Sequence, residues 1–148
     1  MQLAWQGTRE VSAPIARVWS TLNDPQAIAR CAGADGGARL LSDGRYAVTT
    51  RIGILFLKLP ITLEVEMYEL DAPTAGKMRV RGTGPGTGLE GRSAVHLQPL
   101  TADRTRLHWT AETTVHGRLA EFGATLVEPI IRHTIEAFWN DFAKASQR

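Results

Sequence analysis

GRLAEFGATLVEPIIRHTIEAFWNDF, running from Gly117 to Phe142, decides how this 148-residue chain folds. At about 100° per residue, Leu119, Phe122, Leu126, Val127, Ile130, Ile131, Ile135, Phe138 and Phe142 share one broad apolar face, with Ala124 off it. Arg118, Glu121, Glu128, Arg132 and Glu136 fall on the opposite face. The pattern predicts one long helix, bent at Pro129, where a backbone hydrogen bond is lost. A stripe that wide needs a large apolar partner. Almost everything upstream reads as strands, so the expected class is α+β, with a curved antiparallel sheet wrapped around this helix. A single helix need not fill the concave side, and the functional question is what occupies the rest.

Working back from the helix, residues 2–11 alternate, with Leu3, Trp5 and Val11 on the inward parity. Ser12 suits an N-cap and Pro14 a first helical turn, so a short helix carries Ile15, Val18, Trp19 and Leu22 inward. A second covers Pro25–Cys31, and the glycines of 32–37 mark a loop. A strand over 38–42 leads to the turn pair Asp43-Gly44. Strands follow over 46–52, 61–67 and 77–83, then a hairpin of 91–100 and 105–116. Ser93, Val95 and Leu97 face inward on its first arm, and Leu107, Trp109, Ala111, Thr113 and Val115 on its second. Glu64 and Glu66 should oppose Arg79 and Arg81 as a solvated ladder. Pairing Leu100 with Arg104 sets Arg92 against Glu112 and His96 against His108. The sum is seven strands, two short helices between the first and second, and one terminal helix, a single domain over residues 1–148.

Composition excludes several classes. The chain carries 17 Lys plus Arg against 15 Asp plus Glu, scattered rather than clustered, which gives little support to nucleic-acid binding. A lone cysteine, Cys31, rules out an internal disulfide framework and suits a reducing compartment. The N-terminus lacks the basic-then-apolar pattern of a signal peptide, and no apolar run is long enough for a membrane span.

Few residues carry chemistry. His96 and His108 lack a third ligand on their face, so they read as exposed side chains rather than a metal site. The glycines of 82–88 lack the Gly-Lys-Ser/Thr ending of a phosphate loop and read as a flexible strand connection, or as one rim of a cavity mouth. Cys31 reads as a small buried thiol, and no serine sits in a nucleophile elbow. The carboxylates fall mostly on outward parity, which argues against acid–base chemistry inside. Thr50, Thr113, His133, Thr134 and Asp141 are the polar groups within reach of the interior. Ile52–Pro60 is the most unusual segment, a nearly continuous apolar run bracketed by Gly53 and Pro60. It reads either as a doubly buried strand or oligomer contact, or as a hydrophobic lid that touches lipid or a partner.

The order strand, two helices, six strands, long helix is that of the helix-grip fold. Val18-Trp19-Ser20-Thr21-Leu22-Asn23-Asp24-Pro25 followed by Cys31-Ala32-Gly33-Ala34 resembles the CoxG family, the G-subunit family of carbon monoxide dehydrogenase, within the START and polyketide-cyclase group. So do Arg51-Ile52-Gly53, Leu70-Asp71-Ala72-Pro73, the Gly82–Gly91 stretch and, most specifically, Gly117-Arg118-Leu119-Ala120-Glu121-Phe122-Gly123. The likeness covers almost the whole chain. It implies a cytoplasmic, non-catalytic accessory protein, peripheral at the inner face of the cell membrane. Such a protein recruits a molybdenum hydroxylase or carries an isoprenoid quinone between that enzyme and the bilayer. Many members have a tail that reaches the membrane, and a sequence ending at Arg148 weighs against tethering of that kind.

The leading expectation is therefore a lipophilic-ligand carrier with no metal and no covalent cofactor, its ligand a quinone or lipid. The lining expected is Val48, Thr50, Met78, Val80, Val95, Trp109, Phe122, Leu126, Ile130 and Thr134, with Phe56 and Leu57 at the mouth. Two rivals stand beside it. One is a cyclase- or hydrolase-like enzyme acting in the same cavity, which needs converging polar groups there. The other is a recruitment module whose interior is filled.

Overall fold

Ten residues of strict in–out alternation, Gln2–Val11, open the fold as strand β1, with Val11 fully buried. The computed structural model describes Met1 to Arg148 apart from Asp35 and Asp43, so the expected Asp43-Gly44 turn lies partly outside the described residues. After β1 come α1 (Ile15–Leu22), α2 (Pro25–Cys31), β2 (Arg39–Ser42), β3 (Arg45–Ile54), β4 (Leu57–Asp71), β5 (Ala75–Gly84), β6 (Thr87–Thr101), β7 (Arg104–Gly117), α3 (Arg118–Glu121) and α4 (Ala124–Ser146). The strands make one antiparallel sheet in the order β1-β7-β6-β5-β4-β3-β2. Pairing of β1 with β7 brings Gln2 opposite Thr114, so the first strand completes the sheet beside the last.

The register follows the hydrophobic pattern, because a one-residue slip would turn every inward side chain out. Glu64 pairs with Arg81 and Glu66 with Arg79. Arg92 faces Glu112, and His96 faces His108. The closing hairpin differs in one detail. Pro99 pairs with Thr105 and Thr101 with Arg104, so Leu100 is left out of register at a bulge. On the outer face Arg79 reaches Glu66 at 3.3 Å and Arg45 reaches Glu64 at 3.4 Å. These pairs are half-exposed and contribute little stability.

Four local expectations are corrected. Ser12 does not cap α1; its backbone N–H donates to Gln147 Oε1 at 3.0 Å, and Pro14 takes the cap position. The 82–88 stretch is strand, not a flexible connection, with only Pro85-Gly86 forming the β5–β6 turn. Ile52–Pro60 is not a doubly buried strand. It is the end of the β3–β4 hairpin, with Ile54 paired to Leu57 across Leu55 and Phe56. Finally, Gly117–Phe142 is not one helix. Gly123, at φ 87°, separates α3 from α4. That backbone is open to glycine and closed to most residues, and a periodicity of side chains does not register it.

α4 packs across the concave face. Its C-terminal half joins α1, α2 and the lower sheet in one cluster that includes Val18, Leu22, Ile28, Leu97, Leu107 and Phe142. Trp139, absent from the predicted stripe, is at its centre. It stacks on Trp109 with ring centroids 5.9 Å apart and meets Phe138 and Phe142 edge-on at 4.9 and 5.3 Å. Such ring pairs add to the large area that each aromatic buries. A second cluster of Ile54, Val115, Leu119, Val127 and Ile131 closes the other end. There Trp5 donates its indole N–H to Glu128 Oε1 at 2.9 Å, so Glu128 is partly covered rather than fully solvated as the helical wheel predicts.

Candidate functional site

Between these two clusters the sheet turns small side chains toward α4. On β6 and β7, Gly91 faces Thr113 and Ser93 faces Ala111. Larger residues flank this patch, Leu89 and Val115 on one side, Val95 and Trp109 on the other. The larger residues on either side hold α4 off the sheet, so the small residues between them leave space. The space is a cavity of about 420 Å³. Val48 and Thr50 of β3, Leu63 and Val65 of β4, and Met78 and Val80 of β5 form its far wall. α4 closes it with Ile131, Thr134, Ile135 and Phe138. Ile28, Cys31 and the backbone of Ala32-Gly33 border the side where α2 ends.

The loop after α2 is fastened at that border. The Thr50 hydroxyl donates to the Ala32 carbonyl at 2.9 Å. Further along, the Gln26 amide donates to Ala38 O at 3.1 Å and accepts from Ala38 N–H at 2.9 Å. α2 itself starts where Asp24 Oδ1 accepts from Gln26 N–H at 3.0 Å, a side-chain N-cap.

The hydroxyls around the cavity have mostly spent their protons. Ser93 donates to Thr110 O at 2.8 Å and Thr134 to Ile130 O at 2.9 Å, as Thr50 does to Ala32 O. Toward the cavity these three offer lone pairs only. Thr113 makes no side-chain hydrogen bond among the described residues, so its hydroxyl keeps a proton to donate. Burial pushes the Cys31 thiol up to about 11, and the Asp141 carboxylate adds to the rise. It therefore stays protonated near neutral pH, which removes it as a nucleophile. His133 and Asp141 border the cavity but are exposed, and eight residues of helix hold them roughly 12 Å apart along its axis. They do not converge on one reacting atom.

Of the residues expected to line the cavity, Val48, Thr50, Met78, Val80 and Thr134 do so. Val95 and Trp109 do not; they are buried in the cluster below, Trp109 under Trp139. Phe122, Leu126 and Ile130 pack instead around Val127 in the upper cluster, because the break at Gly123 and the turn of α4 carry them away from the line Ile131, Thr134, Ile135, Phe138. Phe56 and Leu57 lie beyond the wall, at an exposed hairpin tip, while Arg51 and Ile52 of the same strand pair reach the cavity. Ser93, Ala111 and Thr113 read as inward in the sequence but are left out of the expected lining, and Gly91 is not considered there. Their signal was legible, since inward positions with small side chains on adjacent strands mark a void. His96 and His108 lie on the outer face, where Thr8 Oγ1 and His108 Nδ1 share a hydrogen bond at 3.0 Å. Among the described residues no three His, Cys, Asp or Glu side chains gather as a metal site.

The sequence from residue 7 to 146 matches the model of the carbon monoxide dehydrogenase G-subunit (CoxG) family. Among solved structures, a conserved protein from Geobacillus kaustophilus superposes with a TM-score of 0.87 at 24% identity, covering 97% of this chain and 95% of that one. The Zhui aromatase/cyclase of a Streptomyces species gives 0.73 at 19% identity, covering 100% and 95%. A START superfamily protein from Mycobacterium smegmatis gives 0.70 at 16% identity, covering 95% and 94%. At these identities the likeness speaks to the fold, the helix-grip arrangement of START and polyketide-cyclase-like proteins. Among curated proteins, none matches the sequence.

Proposed function

The chain belongs to the CoxG family of carbon monoxide dehydrogenase subunits, and from that premise we propose that it is a carrier for a lipophilic small molecule, an isoprenoid quinone, in the service of a molybdenum hydroxylase. The observation that carries this reading is the cavity of about 420 Å³ between the sheet and α4, with walls mainly of aliphatic and aromatic side chains. Its volume falls within the range of small-molecule sites, roughly 300–1,000 Å³. A long polyprenyl chain exceeds it, so the ring end would sit inside and the tail would leave by the mouth. Binding would rest on burial of apolar surface, about 25 cal/mol per Å². Thr113 supplies a hydroxyl to orient a ring carbonyl. The accessory role follows from the family's description as an enzyme subunit, and the hydroxylase, the cytoplasmic location and peripheral contact with the membrane belong to the same proposal.

The cyclase-like neighbour keeps an enzymatic reading in view. That reading needs at least two polar or titratable groups converging at one substrate atom, and its titratable pair, His133 and Asp141, stands apart along α4. Among the described residues no helix is long and apolar enough to cross a membrane. The test is organic extraction of protein purified from its native source, followed by mass spectrometry. A quinone or related lipid present in proportion to protein is the expected result. An extract no richer than a matched control protein, together with no displacement of a cavity-bound fluorophore by short-chain quinones, would overturn the carrier role.

A further inference from the structure

The β3–β4 hairpin ends in a way that neither turn chemistry nor packing explains. Two-residue hairpin loops favour Asn-Gly or Asp-Gly, because the turn needs positive φ. Here the loop is Leu55-Phe56, and Leu55 holds φ 56°. A branched apolar residue in that conformation costs on the order of 1–2 kcal/mol. No packing offsets it locally. Leu55 is 70% exposed, Phe56 fully exposed and Leu57 45% exposed, while Ile54, one residue earlier, is buried against the upper cluster. An apolar tip kept in a strained turn and turned to solvent fits a surface role rather than a folding one.

The tip also stands clear of its neighbours. The β4–β5 ladder begins at Thr62 with Thr83, so Leu57–Ile61 pair only with β3. The neighbouring β5–β6 turn stops level with Pro60, where Gly84 abuts the Pro60 carbonyl. Phe56 lies four residues further out, roughly 13 Å at strand spacing. The charge on the end of the hairpin itself has one sign. Arg51 and Lys58 are exposed on the hairpin, and no acidic residue occurs between Arg45 and Glu64. Arg118 lies against Gly86 of the neighbouring turn.

We infer that the Leu55-Phe56-Leu57 tip is a docking wedge for an anionic lipid bilayer, with the three apolar side chains entering the interface and Arg51, Lys58 and Arg118 facing its acidic headgroups. A projecting tip suits a fluid interface that closes around it, and the cationic fringe suits an anionic one. The strands behind the wedge carry Arg51 and Ile52 into the cavity wall, so docking would bring the cavity to the membrane surface. The inference rests on the carrier reading for its purpose, and the two fail separately.

The experiment is co-sedimentation of the full chain with vesicles of phosphatidylcholine alone and of phosphatidylcholine with phosphatidylglycerol. The wild type should partition onto the mixed vesicles and weakly onto the neutral ones. Phe56→Asp should lower partitioning by about tenfold or more, the effect of withdrawing one large apolar side chain. Lys58→Glu should lose about tenfold or more on anionic vesicles and nothing on neutral ones. Fluorophore binding in the cavity, unchanged in both variants, shows that they are folded. A wild type that stays in the supernatant with both vesicles overturns the wedge, as does Phe56→Asp sedimenting like wild type. So does light scattering that shows a dimer dissolved by Phe56→Asp, which would make a second copy the occupant. Loss of vesicle binding in Phe56→Asp with no quinone in the native extract would retain the wedge and remove the carrier.

Discussion

Replacing Ala111 with leucine separates a hollow from a packed core, because the two give opposite signs. Ala111 is buried on β7 opposite Ser93, in the patch of small residues that leaves the cavity open. Ala111→Leu adds about three CH₂ equivalents, at about 0.8 kcal/mol each when buried. With empty space in front of it, the variant should gain up to roughly 2 kcal/mol in stability. The ligand loses the room that the leucine takes, a contact worth about 1.5–3 kcal/mol, so affinity should fall roughly tenfold to a hundredfold. Val95→Phe is the control. Val95 lies one pair further along, fully surrounded, and overpacking there should destabilise by about 1–3 kcal/mol. Urea unfolding followed by tryptophan fluorescence gives the stabilities, and titration with a short-chain quinone gives the affinities. If Ala111→Leu is destabilised as much as Val95→Phe, or binds ligand as the wild type does, the cavity is not the binding site.

Other outcomes test single contacts. Thr113→Val keeps the shape and removes the hydroxyl, so calorimetry should show carbonyl-bearing ligands weakened by about 0.5–1.5 kcal/mol and carbonyl-free analogues unaffected. Cys31 holds its proton up to about 11 when folded against an ordinary 9.0. Its contribution is therefore complete below pH 9 and lost as pH rises toward 11, and the wild type should lose stability across that window while Cys31→Ala loses less. Gly123→Ala meets no atom within 4 Å of its new methyl group but must hold φ 87°. Thermal unfolding should report a loss of about 1–3 kcal/mol that comes from the backbone alone.

The parts of the fold that depend on alternation were legible in the sequence. Strand parity with an assumed Leu100–Arg104 pairing placed Arg92 against Glu112 and His96 against His108, and that register stands although Leu100 itself is left out at a bulge, because one buried face fixes register. α2 was legible in its bounds, Pro25–Cys31, which the structure keeps. What escaped has a common cause, since periodicity reports which side chains face inward but not how the backbone bends. Gly123 breaks the helix through φ alone. Leu55-Phe56 turns a hairpin without any turn residue, so the run from Ile52 to Pro60 reads equally as a buried strand or oligomer contact and as a lid. Part of the site escaped for a different reason, although Val48, Thr50, Met78, Val80 and Thr134 were expected in its lining. Large apolar residues such as Val95 and Trp109 suggested a lining, whereas a void lies where inward residues are small, at Gly91, Ser93, Ala111 and Thr113.

Completion of the sheet by its first and last strands sets a schedule for folding. Gln2 has its partner at Thr114, and the helix that covers the concave face is synthesised only after all seven strands. Contacts of such long sequence separation form late and slowly, in the millisecond-to-second range of β-rich topologies. Until α4 arrives, the inner faces of β3 to β7 have only α1 and α2 to lie against, at the lower end. The nascent chain therefore exposes its apolar sheet while the strands are being made, and chaperone dependence and aggregation should be greatest for truncations that end before Gly123.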